Sequence, residues 1–343
     1  MSDIKKQASN IDEQGNVLYL DAERLKRKEK VFTPYRRPKD GLGIFNFVKE
    51  NVTALKNGRW GPARLIYRTL DKYSVWMKKG GARAKIYKRI TMLAPERDRH
   101  TGSIMLPLNV DLTPAAEKVT VPMELLKEGI RNTTFIGGMD ACLCRECNDC
   151  EEYPHDIACL FLGEAGRNIV KNRMGRELTV EEALARVDKA AEHGLMAQAV
   201  WVEVEQWLWG LRNGQMDKFI EICFCCSCCC IALKLSRQAT DIDRHRFHPA
   251  GWTAVPDRTK CVGCGKCVEM KNGCPMEAIT MGEDGKVVID QEKCLGCGIC
   301  AARCKLEAIH IKQTMPMREN LEAYFREEFN MDLKVWKTGK SEE

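Results

Sequence analysis

Nineteen of the 343 residues are cysteine, and eight of them repeat one pattern near the C-terminus. Cys261-x2-Cys264-x2-Cys267 is followed by Cys274-Pro275, and Cys294-x2-Cys297-x2-Cys300 is followed by Cys304. Three thiolates at every third position can wrap one face of an iron–sulfur cube, with a fourth ligand supplied from elsewhere. Zinc sites also use Cys-x2-Cys pairs, but zinc does not account for paired triples.

Around these cysteines, residues 257–312 resemble a bacterial-type 2[4Fe–4S] ferredoxin domain. Each half runs cysteine triple, lone cysteine, then an apolar pair, Ala278-Ile279 in the first and Ala308-Ile309 in the second. The resemblance implies two [4Fe–4S] clusters with crossed ligation. Cys261, Cys264, Cys267 and Cys304 would hold one, and Cys294, Cys297, Cys300 and Cys274 the other. There are two departures. Six residues separate Cys267 from Cys274 where the family usually has three, and Lys305 stands where the family has proline. A cation beside a cluster raises its reduction potential, because the reduced cluster is the more negative form.

Eleven cysteines lie outside this frame. Cys142, Cys144, Cys147, Cys150 and Cys159 make a first block, and Cys223, Cys225, Cys226, Cys228, Cys229 and Cys230 a second. Each contains a further x2 triple, Cys144/147/150 and Cys223/226/229. Six thiols in eight residues cannot all serve one cubane, since neighbours on a strand or helix point in different directions. Three readings stay open: one or two additional Fe–S clusters shared between the blocks, a single atypical cluster with an exposed iron, and zinc or free thiols acting as dithiols. The blocks, of the form CxCxxC and then CCxCCC, are similar to Cys-rich blocks in iron–sulfur proteins of anaerobes, a resemblance that carries no assigned activity.

In a small secreted chain so many cysteines would suggest disulfides. Here the chain is larger, begins MSDIKKQ with no apolar run behind it, and has no run of 18 apolar residues. A reducing cytoplasm with no spanning helix is the expectation. Residues 1–100 carry 24 Lys and Arg against 11 Asp and Glu, so the rest of this +6 chain is net acidic. The basic clusters, Arg24 to Lys28 and Arg36-Arg37, read as a solvated arm or as a dock for an acidic redox partner protein or an anionic membrane surface. No nucleic-acid module accompanies the charge, and no nucleic acid is expected.

The expected fold class is α+β: a mostly helical N-terminal and middle region, with a C-terminal ferredoxin-like domain of short hairpins. Residues 1–40 read as a basic extended arm, 41–135 as a helical or mixed region, 136–250 as a Cys-rich helical domain, 251–314 as the ferredoxin domain and 315–343 as a helix and tail. Helical spacing predicts amphipathic helices over 43–60 and 62–79, the second through Leu65, Ile66, Leu70, Val75 and Trp76, with a break at Gly80-Gly81. Thr179 to Glu182 is a capping box opening a helix with Leu184, Val187, Ala190 and Ala191 on its apolar stripe and a stop at Gly194. Trp201, Trp207 and Trp209 read as core, and 316–330 as a helix packing Leu321, Tyr324, Phe325 and Phe329.

Other cofactor motifs are absent. No cysteines have the Cys-x3-Cys-x2-Cys spacing of radical-SAM proteins, and there is no Cys-x2-Cys-His for haem. Asp98 to Gly102 falls one residue short of a cobalamin pattern, and neither a P-loop nor a dinucleotide-binding glycine motif occurs. His100, His155 and the His245/His248 pair read as ordinary histidines. The expectation is an iron–sulfur electron-transfer protein, a subunit or partner of an anaerobic redox system. Two alternatives stand beside it: an oxidoreductase whose 142–230 region builds a substrate-binding cluster, and a scaffold that delivers clusters.

Overall fold

Short apolar runs such as Met196–Val202 and Ile220–Cys225 supply β-branched and aromatic side chains suited to a pleated surface, and they organise the middle of the chain. The structure, a computed structural model, describes residues 60–90, 101–109, 122–202, 205–211, 213–238, 247–269 and 273–337. The basic arm, the expected 43–60 helix, His100 and His245 lie outside the described residues.

Seven strands form one sheet: β1 (Thr101–Leu106), β2 (Ile136–Met139), β3 (Leu160–Leu162), β4 (Gly175–Glu177), β5 (Met196–Val202), β6 (Ile220–Cys225) and β7 (Phe247–His248), in the order β4-β2-β3-β6-β5-β1-β7. Every neighbouring pair is antiparallel except β1–β7, which is parallel. The fold is thus α+β, but residues 101–248 are built on a sheet where mostly helix was expected. Strands β2, β3 and β5 are buried along almost their whole length. A strand covered on both faces shows a continuous apolar run with no alternation to mark it, and a short run of that kind cannot be told from buried helix by period.

The described helices are α1 (Trp60–Tyr73), α2 (Val75–Lys79), α3 (Gly81–Ile90), α4 (Pro122–Arg131), α5 (Leu143–Cys147), α6 (Arg167–Lys171), α7 (Val180–Glu192), α8 (Glu205–Trp209), α9 (Ile231–Gln238), α10 (Ile299–Arg303) and α11 (Leu321–Phe329). Helix α4 packs against both α7 and α11, and the three lie over β1, β2 and β5. The sheet face bearing Ile104, Ala199, Trp201 and Ile222 is fully buried. Helix α11 lies so close that a Cβ on Gly102 would come within 2.8 Å of the Phe329 ring, so only glycine fits there. The α7 capping box forms as expected, Thr179 Oγ1 accepting from Glu182 N and Glu182 from Thr179 N, and Gly194 at φ +65° follows the helix.

On the opposite face, α1, α5, α8 and α9 cover the strands that carry the upstream cysteines. The inward stripe of α1 and α2 differs from the expected one. Ala63, Tyr67, Leu70 and Met77 are buried, whereas Leu65 (69% exposed) and Val75 (41%) face outward. The stripe turns on Tyr67, whose hydroxyl donates to Cys229 O at 2.8 Å and so anchors the helix over the thiols.

The C-terminal part starts with β8 (Trp252–Pro256), which pairs antiparallel with β11 (Ile309–Gln313), while β9 (Ile279–Met281) and β10 (Val287–Ile289) form a hairpin. The sequence repeat is a structural repeat. Asp257 N donates to Ala308 O and Asp290 N to Ala278 O, while Cys261 N reaches Asp257 O as Cys294 N reaches Asp290 O. Ala278, Ile279, Ala308 and Ile309 are all buried. This unit is fused to the body: Trp252, Ile279 and Ile311 share the core of the sheet, and Met276, Leu295 and Ile299 pack with Met105 and Met196.

Candidate iron–sulfur and metal centres

The thiols fall into four groups. Cys261, Cys264, Cys267 and Cys304 stand around a cavity of about 300 Å³ in the C-terminal unit, whose wall also includes Arg303 and Lys305. Burial pushes the Cys267 thiol up, and Cys264, Cys261 and Cys304 add to that, so the four act on one another. The second group shows the same mutual effect: burial raises Cys300, followed by Cys297, Cys294 and Cys274. Backbone amides donate to sulfur in both, Val287 N to Cys261 at 3.4 Å, Ala308 N to Cys304 at 3.3 Å and Gly296 N to Cys294 at 3.4 Å. Thiols ringing a cavity, with N–H groups directed at sulfur, suit a cubane, whose potential is set by such bonds and by burial. Cys304 thus lines one cavity with the first triple, and Cys300 of the second triple reaches the same wall.

The third group belongs to the sheet. Alternation on β6 puts Glu221, Cys223 and Cys225 on one face. With Cys142, Cys144, Cys159 and Cys230 they line an apolar cavity of about 100 Å³ under α1 and α9, whose wall Cys226 of the next group also reaches. Cys225 and Cys230 are 3.1 Å apart and Cys159 and Cys223 3.5 Å, so six thiols surround one chamber. A carboxyl pair closes one end. Glu221 Oε1 lies 3.0 Å from Cys223 Sγ, and its Oε2 accepts from Trp209 Nε1 at 3.0 Å. Glu205 is 3% exposed, and burial and the Glu221 carboxylate push its pKa well above the carboxylate range. Two buried acids side by side cannot both ionise cheaply, so Glu205 holds a proton.

The fourth group sits at the far side of the turn after β6. The Sγ atoms of Cys150, Cys226, Cys228 and Cys229 all lie within 4.8 Å of one another. Hydrogen bonds from Cys228 and Cys229, helped by Arg145 against the cost of burial, bring Cys226 down to about 2. Arg145 is fully buried, donating through Nη1 to Pro154 O (2.9 Å) and Ile157 O (2.8 Å) and through Nη2 to Phe224 O (2.8 Å). No carboxylate is among these partners. Burial works against its charge, and Cys142 and Cys226 hold the charge in place. Cys147 stands apart, partly buried, with Arg68 and Arg64 nearest in effect.

The groups adjoin pairwise. Arg303, on the wall of the first ferredoxin cavity, hydrogen-bonds the Tyr153 hydroxyl, and Arg145 lies 5.7 Å from the centre of the Tyr153 ring. Cys274, Cys294 and Cys297 pack in the same apolar cluster as Cys225 and Cys230 of the chamber. His155 bonds Glu146 and Cys150 O. His248 faces Glu328. Glu205, Glu221, Arg145, Tyr153 and Arg303 escaped the sequence reading. Glu221 had a signal, the Glu-x-Cys-x-Cys alternation, which becomes legible once 220–225 is known to be a strand; the other four had none.

A duplicated C-terminal unit that carries eight cysteines in this frame marks an iron–sulfur protein. Residues 260–308 match the 4Fe-4S dicluster domain family, and with it come two [4Fe–4S] clusters. No curated protein and no solved structure matches the chain. None of the nineteen cysteines is in a disulfide, and among the described residues no helix is long and apolar enough to cross a membrane.

Proposed function

We propose that this chain is an electron-transfer protein in which the dicluster domain exchanges electrons with a centre in the six-thiol chamber, on behalf of a larger redox system. The observation that carries the reading is the shared packing of Cys274, Cys294 and Cys297 with Cys225 and Cys230. We assign the first cluster to Cys261, Cys264, Cys267 and Cys304, the second to Cys294, Cys297, Cys300 and Cys274, and a further cluster to the chamber. When bound, such clusters supply one-electron steps at potentials the protein sets. The chain's own contribution is to desolvate the thiols, to aim amide N–H groups at sulfur and to exclude water through the apolar contacts of Met105, Met276 and Leu295. A reducing cytoplasm fits nineteen unpaired thiols. The basic N-terminal hundred residues would dock an acidic partner, and that association should weaken steeply with salt.

The test is iron and acid-labile sulfide per chain after purification without oxygen. About 12 sulfides support a loaded chamber, and about 8 confine the clusters to the dicluster domain and sink the extension. A second reading has a specific observation in its favour. The chamber sets a protonated Glu205 and an apolar cavity beside its thiols, room in which a substrate could reach a cluster held by three thiolates with one iron position open. Carbon monoxide or cyanide perturbing the chamber's spectrum, with the dicluster signals unchanged, would select it. Burial of Cys142, Cys159, Cys225 and Cys230 below one tenth exposure speaks against a scaffold that hands clusters on.

A further inference from the structure

We propose that Cys150, Cys226, Cys228 and Cys229 bind a single divalent transition-metal ion directly, as a closed tetrahedral tetrathiolate site distinct from every iron–sulfur cluster of the chain. Spacing is the first argument. Metal–thiolate bonds of about 2.3 Å in a tetrahedron set the sulfurs roughly 3.8 Å apart. Here Cys150 and Cys228 are 3.8 Å apart, Cys226 and Cys228 3.5 Å, and Cys228 and Cys229 3.5 Å, with all four within 4.8 Å. A cubane puts a separate iron under each thiolate and holds the four sulfurs apart by the width of its core. The quartet of Cys261, Cys264, Cys267 and Cys304 surrounds a cavity with room for such a core, whereas the sulfurs of these four close to within 4.8 Å of one another.

Charge is the second argument. Four thiolates on a divalent ion carry a net charge of −2, which needs a counter-charge when half-buried. Arg145 is fully buried, has backbone carbonyls and no carboxylate as its hydrogen-bond partners, and leaves Nε without a hydrogen-bond partner. Ser227, between two of the ligands, likewise buries an Oγ with no partner, a donor that thiolate sulfur can use.

The consequence is mechanical. Cys150 follows α5, whereas the other three form the turn that ends β6. One ion would tie the two cysteine blocks together, and the turn it fixes sends Cys230 back toward the chamber. The six chamber thiols would then be set by an ion that none of them ligates. The site does not depend on electron transfer.

The first experiment needs no variant: zinc, iron and acid-labile sulfide are counted on the full chain purified without oxygen. Cubanes contribute iron and sulfide equally. One zinc per chain, or iron exceeding sulfide by one, supports the proposal and distinguishes the two metals. Equal iron and sulfide with no zinc overturns it, whatever the total that tests the chamber. The second experiment repeats the count on Cys226→Ala/Cys229→Ala. Loss of one ion with sulfide unchanged is expected. Retention of the zinc, or of the one iron in excess of sulfide, overturns the proposal, whether or not the chamber loses iron and sulfide in equal number.

Discussion

Replacing Arg145 by methionine removes a fully buried cation while keeping most of the side-chain volume. Three carbonyl oxygens, of Pro154, Ile157 and Phe224, lose their donor together. Each buried acceptor left unpaired costs about 1–3 kcal/mol. The losses are not independent, since one relaxation or one water can serve two of them, so the total should fall at about 3–5 kcal/mol, the range for breaking a buried charged interaction. Against the roughly 5–15 kcal/mol that holds a domain together, this is a large fraction. The assay is urea unfolding without oxygen, followed by the fluorescence of the buried Trp201 and Trp209, with the loss read from the midpoint at unchanged slope. Arg145→Lys separates two contributions. It keeps the charge beside Cys226 and Cys142 but cannot serve three carbonyls with one head group, so part of the stability should be lost while metal content holds. A methionine variant within about 1 kcal/mol of the parent would refute the bookkeeping. A lysine variant that loses as much metal as the methionine one would refute the role given to charge.

In Cys304→Ser, the cluster assigned to Cys261, Cys264 and Cys267 should be damaged; a change confined to the Cys294 cluster, seen by electron paramagnetic resonance, would make the crossed assignment wrong. Lys305→Gln removes a cation from the wall of the same cavity. The reduced cluster is the more negative form, so its potential should fall by roughly 20–40 mV in a redox titration, and an unchanged value would count against a role for Lys305. Thr179→Ala removes the hydroxyl that accepts from Glu182 N, leaving the bond from the backbone N–H of residue 179 to Glu182, and should cost about 1 kcal/mol in the same urea assay, with no effect on iron content.

The parts of the chain that were legible are those whose signal is local. The capping box at Thr179, the apolar face of α11 and the duplicated frame from Cys261 to Ile309 each rest on residues close in sequence that meet in the fold. The sheet was not legible because β2, β3 and β5 are covered on both faces and most strands are three to seven residues long. Such runs offer neither alternation nor length. The stripe of α1 was misread for a related reason. Hydropathy ranks Leu65 and Val75 above Tyr67, but Tyr67 reaches a backbone carbonyl in the thiol turn and the two aliphatic side chains reach nothing.

How the eleven upstream cysteines divide follows from one strand end that spacing arithmetic does not contain. Read as triples, the second block gives Cys223, Cys226 and Cys229 as partners. On β6, however, Cys223 and Cys225 share a face with Glu221, and the strand stops at Cys225. The turn then carries Cys226, Cys228 and Cys229 to Cys150, and Cys230 returns to 3.1 Å from Cys225. Triple spacing suits a loop that wraps a cluster, as in the C-terminal unit; it fails where a strand imposes a period of two on the first half of the motif. The vicinal Cys225-Cys226 pair marks the switch: Cys225 lies within hydrogen-bonding reach of Gln198 on the neighbouring strand, while Cys226 answers to Arg145. A peptide of the block alone, freed from β5 and β3, should therefore bind metal through a different set of thiols than the folded chain does.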